Sequence, residues 1–183
     1  MRLTIVVFLS LFLSFSALAQ NMVSTGAQAP QFSITGLDGQ TYDLNQLRGK
    51  VVLVTFWSTR CQICHSEIPK LNRMAAKYQG QDVVFLGFTT DNPTKVDAYL
   101  KNTPFAFSII PNSFGVVMQY ADRDGAGNLN IGFPAYFLLD QNGQVQAKTN
   151  GWDKTPDLDA KITRLLSSAK PRTTVAVASA EHR

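Results

Sequence analysis

The chain has 183 residues and a formal net charge of +4 at pH 7. This length suits one globular domain that can bury a sizeable core. Its basic residues are scattered, and no run of lysine and arginine interleaved with aromatic residues occurs, so the composition argues against a nucleic-acid-binding protein.

Residues 1–19 have the pattern of an export signal. Arg2 gives a positive start, Ile5 to Phe15 is almost wholly apolar, and Ala17-Leu18-Ala19 has the small-x-small form of a signal-peptidase site. We expect cleavage after Ala19 and export to the periplasm. An uncleaved membrane anchor is the alternative, but the apolar stretch is marginal in length for a bilayer span.

The mature chain begins with a polar segment, residues 20–29, which has no hydrophobic period and which we expect to be mobile. Order is expected to begin at Pro30. Two short, partly alternating segments, Gln31 to Ile34 and Gln40 to Leu44, flank the turn Gly36-Leu37-Asp38-Gly39. This pattern predicts an antiparallel hairpin.

The next stretch carries the only two cysteines of the chain. Val51 to Trp57 is apolar and rich in β-branched residues, which predicts a central strand covered on both faces. Apolar residues recur at intervals of three and four from Gln62 to Tyr78, which predicts an amphipathic helix that Pro69 should kink. Cys61 and Cys64 therefore lie where the strand leads into the helix.

The rest of the pattern predicts a buried strand, a capped helix, a short strand, a short helix, a polar loop, a hairpin and a final helix. Residues 171–183 have no apolar stripe and should fray, so we expect one domain over residues 30–170. The predicted segments are Val83 to Thr89, a helix from Asn92-Pro93, Phe105 to Ile110, Phe114 to Tyr120 with its apolar side at Phe114, Val117 and Met118, Asp122 to Asn130, Ala135 to Leu139 with Gln144 to Ala147, and a helix from Thr155 that buries Leu158, Ile162, Leu165 and Leu166.

A series of short motifs runs through the chain in a fixed order. They are Ala29-Pro30, the Leu37-Asp38-Gly39 turn, Leu47-Arg48-Gly49-Lys50, Phe56-Trp57, Cys61-x-x-Cys64, Glu67-x-Pro69, Phe133-Pro134 and Asp140-x-Asn142-Gly143. In this order they resemble the motifs of the secreted TlpA/ResA-like thioredoxins, and the resemblance extends from about Ala29 to Leu166. It implies an α/β, thioredoxin-like fold: a central mixed β-sheet with helices on both faces and an N-terminal β-hairpin extension. It also implies reduction of disulfides in exported proteins such as apocytochrome c.

The cysteine pair predicts thiol-disulfide exchange, because the free amides of a helix N-terminus favour a thiolate over a thiol. We expect Cys61, nearer that terminus, to be the nucleophile and Cys64 to be the resolving thiol, with the pair cycling between dithiol and disulfide. Arg60 beside Cys61 either adds to the positive field at the thiol or is only a solvated side chain. The family usually has Trp at the position of Arg60.

The resemblance implies a catalytic acid-base residue at Glu67, which matches the acidic residue of the family near the cysteine pair. A carboxylate there could accept the proton of the Cys64 thiol during resolution. Thioredoxin itself places an acid six positions before the first cysteine, and this chain has Thr55 there. Glu67 is therefore the better candidate, and a surface charge on a helix is its alternative interpretation.

The resemblance also implies a substrate-binding role for residues around a second motif. Pro134 should be a cis proline that faces the cysteine pair and shapes a peptide groove, and Phe133 should offer backbone groups to a bound substrate. Trp57 should pack under the active-site turn. Phe133 is bulkier than the residue that relatives often have, and Gln62-Ile63 replaces their usual proline-containing turn.

Two other functions remain as alternatives. Cys61-Gln62-Ile63-Cys64-His65 also fits the haem-attachment pattern, although a cytochrome would not need the preceding buried strand or the later hairpin. A copper-binding or metallochaperone module could use Cys61, Cys64 and His65 as soft ligands. The preferred hypothesis is a monomeric, periplasmic oxidoreductase without bound metal or cofactor, which acts on protein disulfides and receives electrons from a membrane thiol-disulfide donor.

Overall fold

The computed structural model describes residues 23–150 and 157–168, so the predicted signal peptide and the predicted fraying tail lie outside the described residues. Strands and helices alternate through most of the described chain. In order they are β1 (Ser33–Thr35), β2 (Thr41–Asp43), β3 (Val51–Phe56), α1 (Gln62–Lys77), β4 (Val83–Phe88), α2 (Pro93–Leu100), β5 (Ser108–Ile110), α3 (Phe114–Tyr120), β6 (Asp122–Arg123), β7 (Leu129–Asn130), β8 (Ala135–Leu139), β9 (Val145–Asn150) and α4 (Leu158–Ser168).

The central feature is a five-stranded mixed sheet in the order β5-β4-β3-β8-β9. β3 is parallel to β4, β4 is parallel to β5, and β8 is antiparallel to both of its neighbours. All six residues of β3 are buried. The sequence prediction of a central strand covered on both faces, within a mixed sheet, is therefore confirmed.

Alternate residues of β3 enter two separate cores, as the two-residue period of a strand requires. Val51 and Leu53 pack with residues of α1 and α4 on one face of the sheet. Val52, Val54 and Phe56 pack with α3 and the N-terminal segments on the other face. Since α1 lies against the first of these faces, its N-terminus is held next to the carboxyl end of β3.

The predicted N-terminal hairpin is present as the antiparallel pair β1 and β2. It is fastened to the edge strand β5, because the Tyr42 hydroxyl lies 2.5 Å from Ser108 Oγ and donates to the Asp38 carboxylate at 2.5 Å. The Leu37 amide also donates to the Ile109 carbonyl at 2.9 Å. The hairpin therefore covers the outer end of the sheet near α2.

The expected mobility of the leader, residues 20–29, is wrong for residues 23–29. Val23 and Ala29 are buried, with 4% and 2% of their surfaces exposed. The Gly26 amide donates to the Val145 carbonyl at 2.7 Å, and the Ala29 amide donates to the Gly143 carbonyl at 3.0 Å. Hydrogen bonds between backbone groups hold the segment alongside β9. Because backbone bonds do not depend on the side chains, the sequence of the segment shows no hydrophobic period. Residues 20–22 lie outside the described residues.

The predicted apolar side of α3 is also partly wrong. Phe114 is 63% exposed, and the buried side consists of Val116, Val117 and Tyr120. The Tyr120 hydroxyl donates to the Pro30 carbonyl at 3.0 Å, which draws the last turn of the helix into the core. The helix therefore packs by its carboxyl-terminal half, and its first residue faces outward.

The segment from Asp122 to Asn130 is predicted as a loop, but its ends pair as the two-residue strands β6 and β7. The Asp124 carboxylate accepts the amide hydrogens of Ala126 and Asn128, which closes the turn between them. This local bonding explains why a polar segment without alternation still forms a short hairpin.

Candidate active site

The two cysteines lie at the start of α1 and form a disulfide, with an S–S distance of 2.09 Å and a Cα–Cα distance of 5.2 Å. Cys61 is the N-cap residue of the helix, and its backbone is still extended. Its sulfur accepts a hydrogen bond from the Cys64 amide at 3.1 Å. The Cys61 sulfur therefore lies directly in front of an amide of the first helical turn, which has no partner within the helix.

The two sulfurs differ in exposure. Cys64 is 3% exposed and packs with Trp57, Val96 and Ile109, whereas Cys61 is only partly buried. The first turn of α1 contains no acidic residue, so no carboxylate there opposes a negative charge on Cys61. A disulfide partner from outside can reach Cys61 more easily than Cys64.

Trp57 packs directly beneath the turn that carries Cys61, as predicted. Its ring lies 4.7 Å from the ring of Phe105 and 5.4 Å from the ring of Tyr99, and only 1% of the residue is exposed. The indole Nε1 is buried without a hydrogen-bond partner among the described residues. This aromatic layer supports the active-site turn from below.

A glycine in β4 makes room for this layer. A Cβ atom on Gly87 would lie 2.7 Å from Ile109 Cδ1, 3.2 Å from Phe107 Cε2 and 3.3 Å from Trp57 Nε1. These distances are shorter than ordinary van der Waals contacts. Only a residue without a side chain lets Trp57 lie this close to the strand.

We expect Gly87→Ala to lower the free energy of unfolding by about 1–3 kcal/mol, because overpacked cores must shift side chains off their preferred positions. Urea unfolding followed by circular dichroism measures the effect. Gly115→Ala in α3 is the matched control, since a Cβ there meets no atom within 4 Å. It should leave stability unchanged or raise it by up to about 1 kcal/mol. Equal stability of the Gly87 variant and the wild type would contradict the packing argument.

The second predicted motif lies at the start of β8. The Phe133–Pro134 peptide bond is cis, as predicted. Ala135 pairs with Phe56 in the antiparallel strands β8 and β3. Pro134 directly precedes Ala135 and Trp57 directly follows Phe56, so both residues lie at the same end of the two strands. Pro134 is buried, and the partly buried Phe133 packs against the cluster that contains Cys64. The structure thus brings this motif to the cysteine-bearing end of the sheet.

Glu67 lies on α1, one turn beyond Cys64, and is partly buried. Its charge affects the hydroxyl of Tyr136 in β8, a residue that the sequence analysis did not single out. Burial raises the pKa of the Tyr136 hydroxyl, and the negative charge of Glu67 raises it further. A side-chain hydrogen bond with Glu67 raises the pKa of Tyr136 in the same direction, so the hydroxyl and the carboxylate lie close together. Tyr136 pairs with Thr55, the position where thioredoxin itself has an acid.

His65 does not join the two cysteines as a third ligand. Its Nε2 lies 3.2 Å from the Thr59 carbonyl oxygen, and its ring lies 5.0 Å from the ring of Tyr99. Within residues 23–150 and 157–168, no three histidine, cysteine or acidic side chains are grouped so that they could hold a metal ion. The ring instead braces the active-site turn against α2.

The turn before Cys61 is fixed by Asp91, which follows β4 and which the sequence analysis did not single out. Its Oδ2 accepts the Thr59 amide hydrogen at 2.8 Å and the Ser58 hydroxyl hydrogen at 3.3 Å. Its Oδ1 is paired with the Lys95 ammonium. Parallel strands end at the same edge of a sheet, and this is the signal that could have placed Asp91 beside the residues that follow β3. The Arg60 side chain, in contrast, is exposed.

Asp91 should contribute to stability in a pH-dependent way. Burial opposes its ionisation, but the bonds from Lys95 and from the Thr59 amide outweigh burial and lower its pKa from 3.8 to about 2. A lowered folded-state pKa stabilises the fold above about pH 4, and this stabilisation is lost as the pH falls towards 2. The shift corresponds to about 2 kcal/mol.

Acid titration of stability checks this expectation. Between pH 5 and pH 2, the wild type should lose about 1–2 kcal/mol more unfolding free energy than Asp91→Asn, which has no carboxyl group to protonate. Asp97→Asn is the control, since Asp97 is an exposed residue of α2. Parallel curves for the wild type and the Asp91 variant would show that the carboxylate contributes nothing.

Comparison with known proteins gives a consistent assignment. Residues 25–148 match the model of the AhpC/TSA family. The chain is 30% identical over 151 residues to the thiol-disulfide oxidoreductase ResA of Geobacillus kaustophilus (strain HTA426), covering 81% of this chain and 80% of that protein. It is 31% identical over 150 residues to ResA of Geobacillus thermodenitrificans (strain NG80-2), again covering 81% and 80%.

A solved structure agrees with this result at the level of the fold. The chain is similar to a thiol:disulfide interchange protein of the thioredoxin family from Chlorobium tepidum TLS, with a TM-score of 0.66 and 24% identity over 78% of this chain and 98% of that chain. This chain has the mixed sheet, an N-terminal hairpin and a disulfide at the start of α1. The chain therefore belongs to the AhpC/TSA family and is a TlpA/ResA-like thiol-disulfide oxidoreductase of the thioredoxin superfamily.

Proposed function

We propose that this enzyme reduces disulfides in exported proteins, with Cys61 as the nucleophile and Cys64 as the resolving thiol. The observation that carries the proposal is the asymmetry of the pair: Cys61 is accessible and faces a free helical amide, whereas Cys64 is 3% exposed. The helical amide favours the thiolate of Cys61, whereas burial opposes the thiolate of Cys64. Attack on a large substrate therefore begins at Cys61.

The reaction moves two electrons from the enzyme to the substrate in two exchanges. The Cys61 thiolate attacks one sulfur of the substrate disulfide, which breaks that bond, forms a mixed disulfide and releases the other substrate sulfur as a thiolate that takes up a proton. Cys64 then loses its proton and attacks the sulfur of Cys61. This step forms the Cys61–Cys64 disulfide and releases the second substrate thiolate.

Glu67 is the proposed acceptor of the Cys64 proton. It lies one helical turn beyond Cys64, it is partly buried, and its negative charge raises the pKa of the buried Tyr136 hydroxyl. An ionised carboxylate in a partly buried position can take a proton from a thiol that water does not reach. Glu67 would return to the carboxylate form once the proton passes to solvent.

The substrate would lie across the turn that contains Cys61. Phe133, which precedes the cis bond to Pro134, is the residue proposed to pair its backbone with an extended segment of the substrate. Trp57 supports the turn from below, and the exposed Arg60 is proposed to contact the bound chain. Disulfide-containing segments of unfolded or partly folded proteins, such as the Cys-x-x-Cys-His segment of an apocytochrome c, fit this open arrangement.

The proposed location is the periplasm, on the basis of the export signal in residues 1–19. The pair must be reduced again after each turnover, and a membrane thiol-disulfide protein is the proposed donor of these electrons. We propose that the enzyme works as a monomer. Among the described helices, none is both long and apolar enough to cross a bilayer.

Trapping of mixed disulfides tests the proposal. A Cys64→Ala variant, exported in a bacterial host and isolated after acid quenching, should carry exported proteins attached through Cys61, identified by mass spectrometry. The Cys61→Ala/Cys64→Ala double variant is the matched control and should carry none. An empty trap from the single variant would contradict a role in reducing protein disulfides.

A further inference from the structure

An ion pair between Asp91 and Lys95 lies next to the turn that precedes Cys61. We propose that these two opposite charges tune the reduction potential of the Cys61–Cys64 pair, by acting together on the turn that carries Cys61. The proposal rests on Cys61 being the nucleophile, as proposed above. Asp91 and Lys95 would be positioning residues, since neither contacts the reacting sulfurs.

A continuous chain of hydrogen bonds connects Asp91 to the turn. Its Oδ2 accepts the Thr59 amide hydrogen at 2.8 Å and the Ser58 hydroxyl hydrogen at 3.3 Å. Ser58 Oγ in turn accepts the Arg60 amide hydrogen at 3.2 Å. The Ser58 carbonyl accepts the Cys61 amide hydrogen at 3.1 Å. A charge on the Asp91 carboxylate is therefore separated from Cys61 only by the backbone of one tight turn.

The second charge lies one helical turn along α2. Lys95 is at position i+4 from Asp91, and its ammonium is bonded to Oδ1, the oxygen that does not face the turn. The Asp91 side chain is 12% exposed and that of Lys95 is 36% exposed. The lowered pKa of Asp91 keeps it ionised at every working pH, so the pair presents a negative charge next to the turn and a positive charge beside it.

Removing one charge should leave the other uncompensated. Without the carboxylate, Lys95 would favour the Cys61 thiolate, stabilise the reduced enzyme and make it more oxidising. Without the ammonium, Asp91 would oppose the thiolate and make the enzyme more reducing. The other titratable or charged side chains near the turn, Arg60, His65 and Glu67, stay the same in both variants and cannot produce opposite changes.

The test is the equilibrium of the enzyme with glutathione at pH 8, where a thiolate contributes to the measured constant. Asp91→Asn, in which the amide oxygen can still accept the Thr59 amide hydrogen, should favour the dithiol by about threefold, or about 15 mV. Lys95→Gln should favour the disulfide by about threefold. The midpoint of the pH profile for alkylation of Cys61 should move down in the first variant and up in the second.

The double variant Asp91→Asn/Lys95→Gln is the matched control and should lie between the two single variants, since no net charge remains. Added salt at 1 M should shrink both single-variant shifts, because it screens charges at the protein surface. Shifts in the same direction, or no shift in either, would overturn the proposal and leave a purely structural role. If Asp91→Asn does not fold, the shift measured for Lys95→Gln alone tests the proposal. This variant should fold, because the side chain of Lys95 is partly exposed.

These results are separable from the proposed function. The glutathione equilibrium compares variants with the wild type and does not use a protein substrate. Opposite shifts with an empty Cys64→Ala trap would support the charge-tuning role and contradict reduction of exported proteins. A filled trap with unchanged glutathione equilibria would support reduction of exported proteins and contradict the charge-tuning role.

Discussion

Replacing Cys61 with alanine should lower the rate of disulfide reduction by at least about a thousandfold, because no other group can form the covalent intermediate. Cys64 is 3% exposed, so it cannot replace Cys61 in attacking a protein substrate. Reduction of insulin by dithiothreitol in the presence of catalytic enzyme, followed by turbidity, measures this loss. The fold should persist, since Cys61 is a partly buried N-cap residue and alanine there removes one capping contact.

Cys64→Ala is the matched control for this experiment. It should also lose repeated turnover, but it should still complete the first exchange and form one mixed disulfide per molecule, visible by intact-mass spectrometry. The two variants thus separate attack from resolution. If Cys61→Ala formed the mixed disulfide and Cys64→Ala did not, the assignment of the two cysteines would be reversed.

Glu67→Gln should slow the resolving step by about a hundredfold at neutral pH, at the low end of the usual contribution of a general base. The amide keeps the shape of the side chain but cannot accept the Cys64 proton. Stopped-flow decay of a preformed mixed disulfide between Cys61 and a thionitrobenzoate group measures this step. The rate in the variant should rise with pH as hydroxide takes over, and should approach that of the wild type at high pH.

The first exchange serves as the internal control, because Cys61 attacks without help from Glu67 and its rate should change little. Asp97→Asn, an exposed carboxylate change on α2, should leave both steps unaltered. An unchanged pH dependence of resolution in Glu67→Gln would remove Glu67 from the mechanism.

The central strand and the cysteine pair could be predicted because their local signals agree with the tertiary structure. Val51–Phe56 is apolar on both faces, and it is buried on both faces. The helical period begins just after Cys61, and Cys61 is the N-cap residue. The cis state of the bond before Pro134 came from family resemblance alone, since a proline motif has no local feature that specifies its isomer.

The residues that were missed owe their position to pairing between distant segments. Asp91 reads as part of a helix start, and only the parallel pairing of β3 and β4 brings it to Ser58 and Thr59. Tyr136 reads as one more core residue of an apolar strand, and only its register with Thr55 places its hydroxyl behind the active site. Neither the pairing of β3 with β4 nor the register of Tyr136 with Thr55 can be predicted from the residues next to them in the sequence.

Errors in the predicted elements have the same physical origin. Residues 23–29 are ordered by backbone bonds to the segment around β9, which no side-chain pattern records. Phe114 fits the apolar period of α3, yet it lies in the first turn and is 63% exposed. A hydrophobic period predicts which side of a helix can be buried, but the packing partners decide which turns are buried.

The direction of electron transfer to a protein-like disulfide tests the proposed reductase function most directly. Reduced enzyme is mixed with one equivalent of an oxidised Cys-x-x-Cys-His peptide, quenched with acid at equilibrium and analysed by mass spectrometry. Most of the peptide should become a dithiol while the enzyme gains the Cys61–Cys64 disulfide. A peptide that remains oxidised, together with enzyme that converts the reduced peptide to its disulfide, would contradict this function.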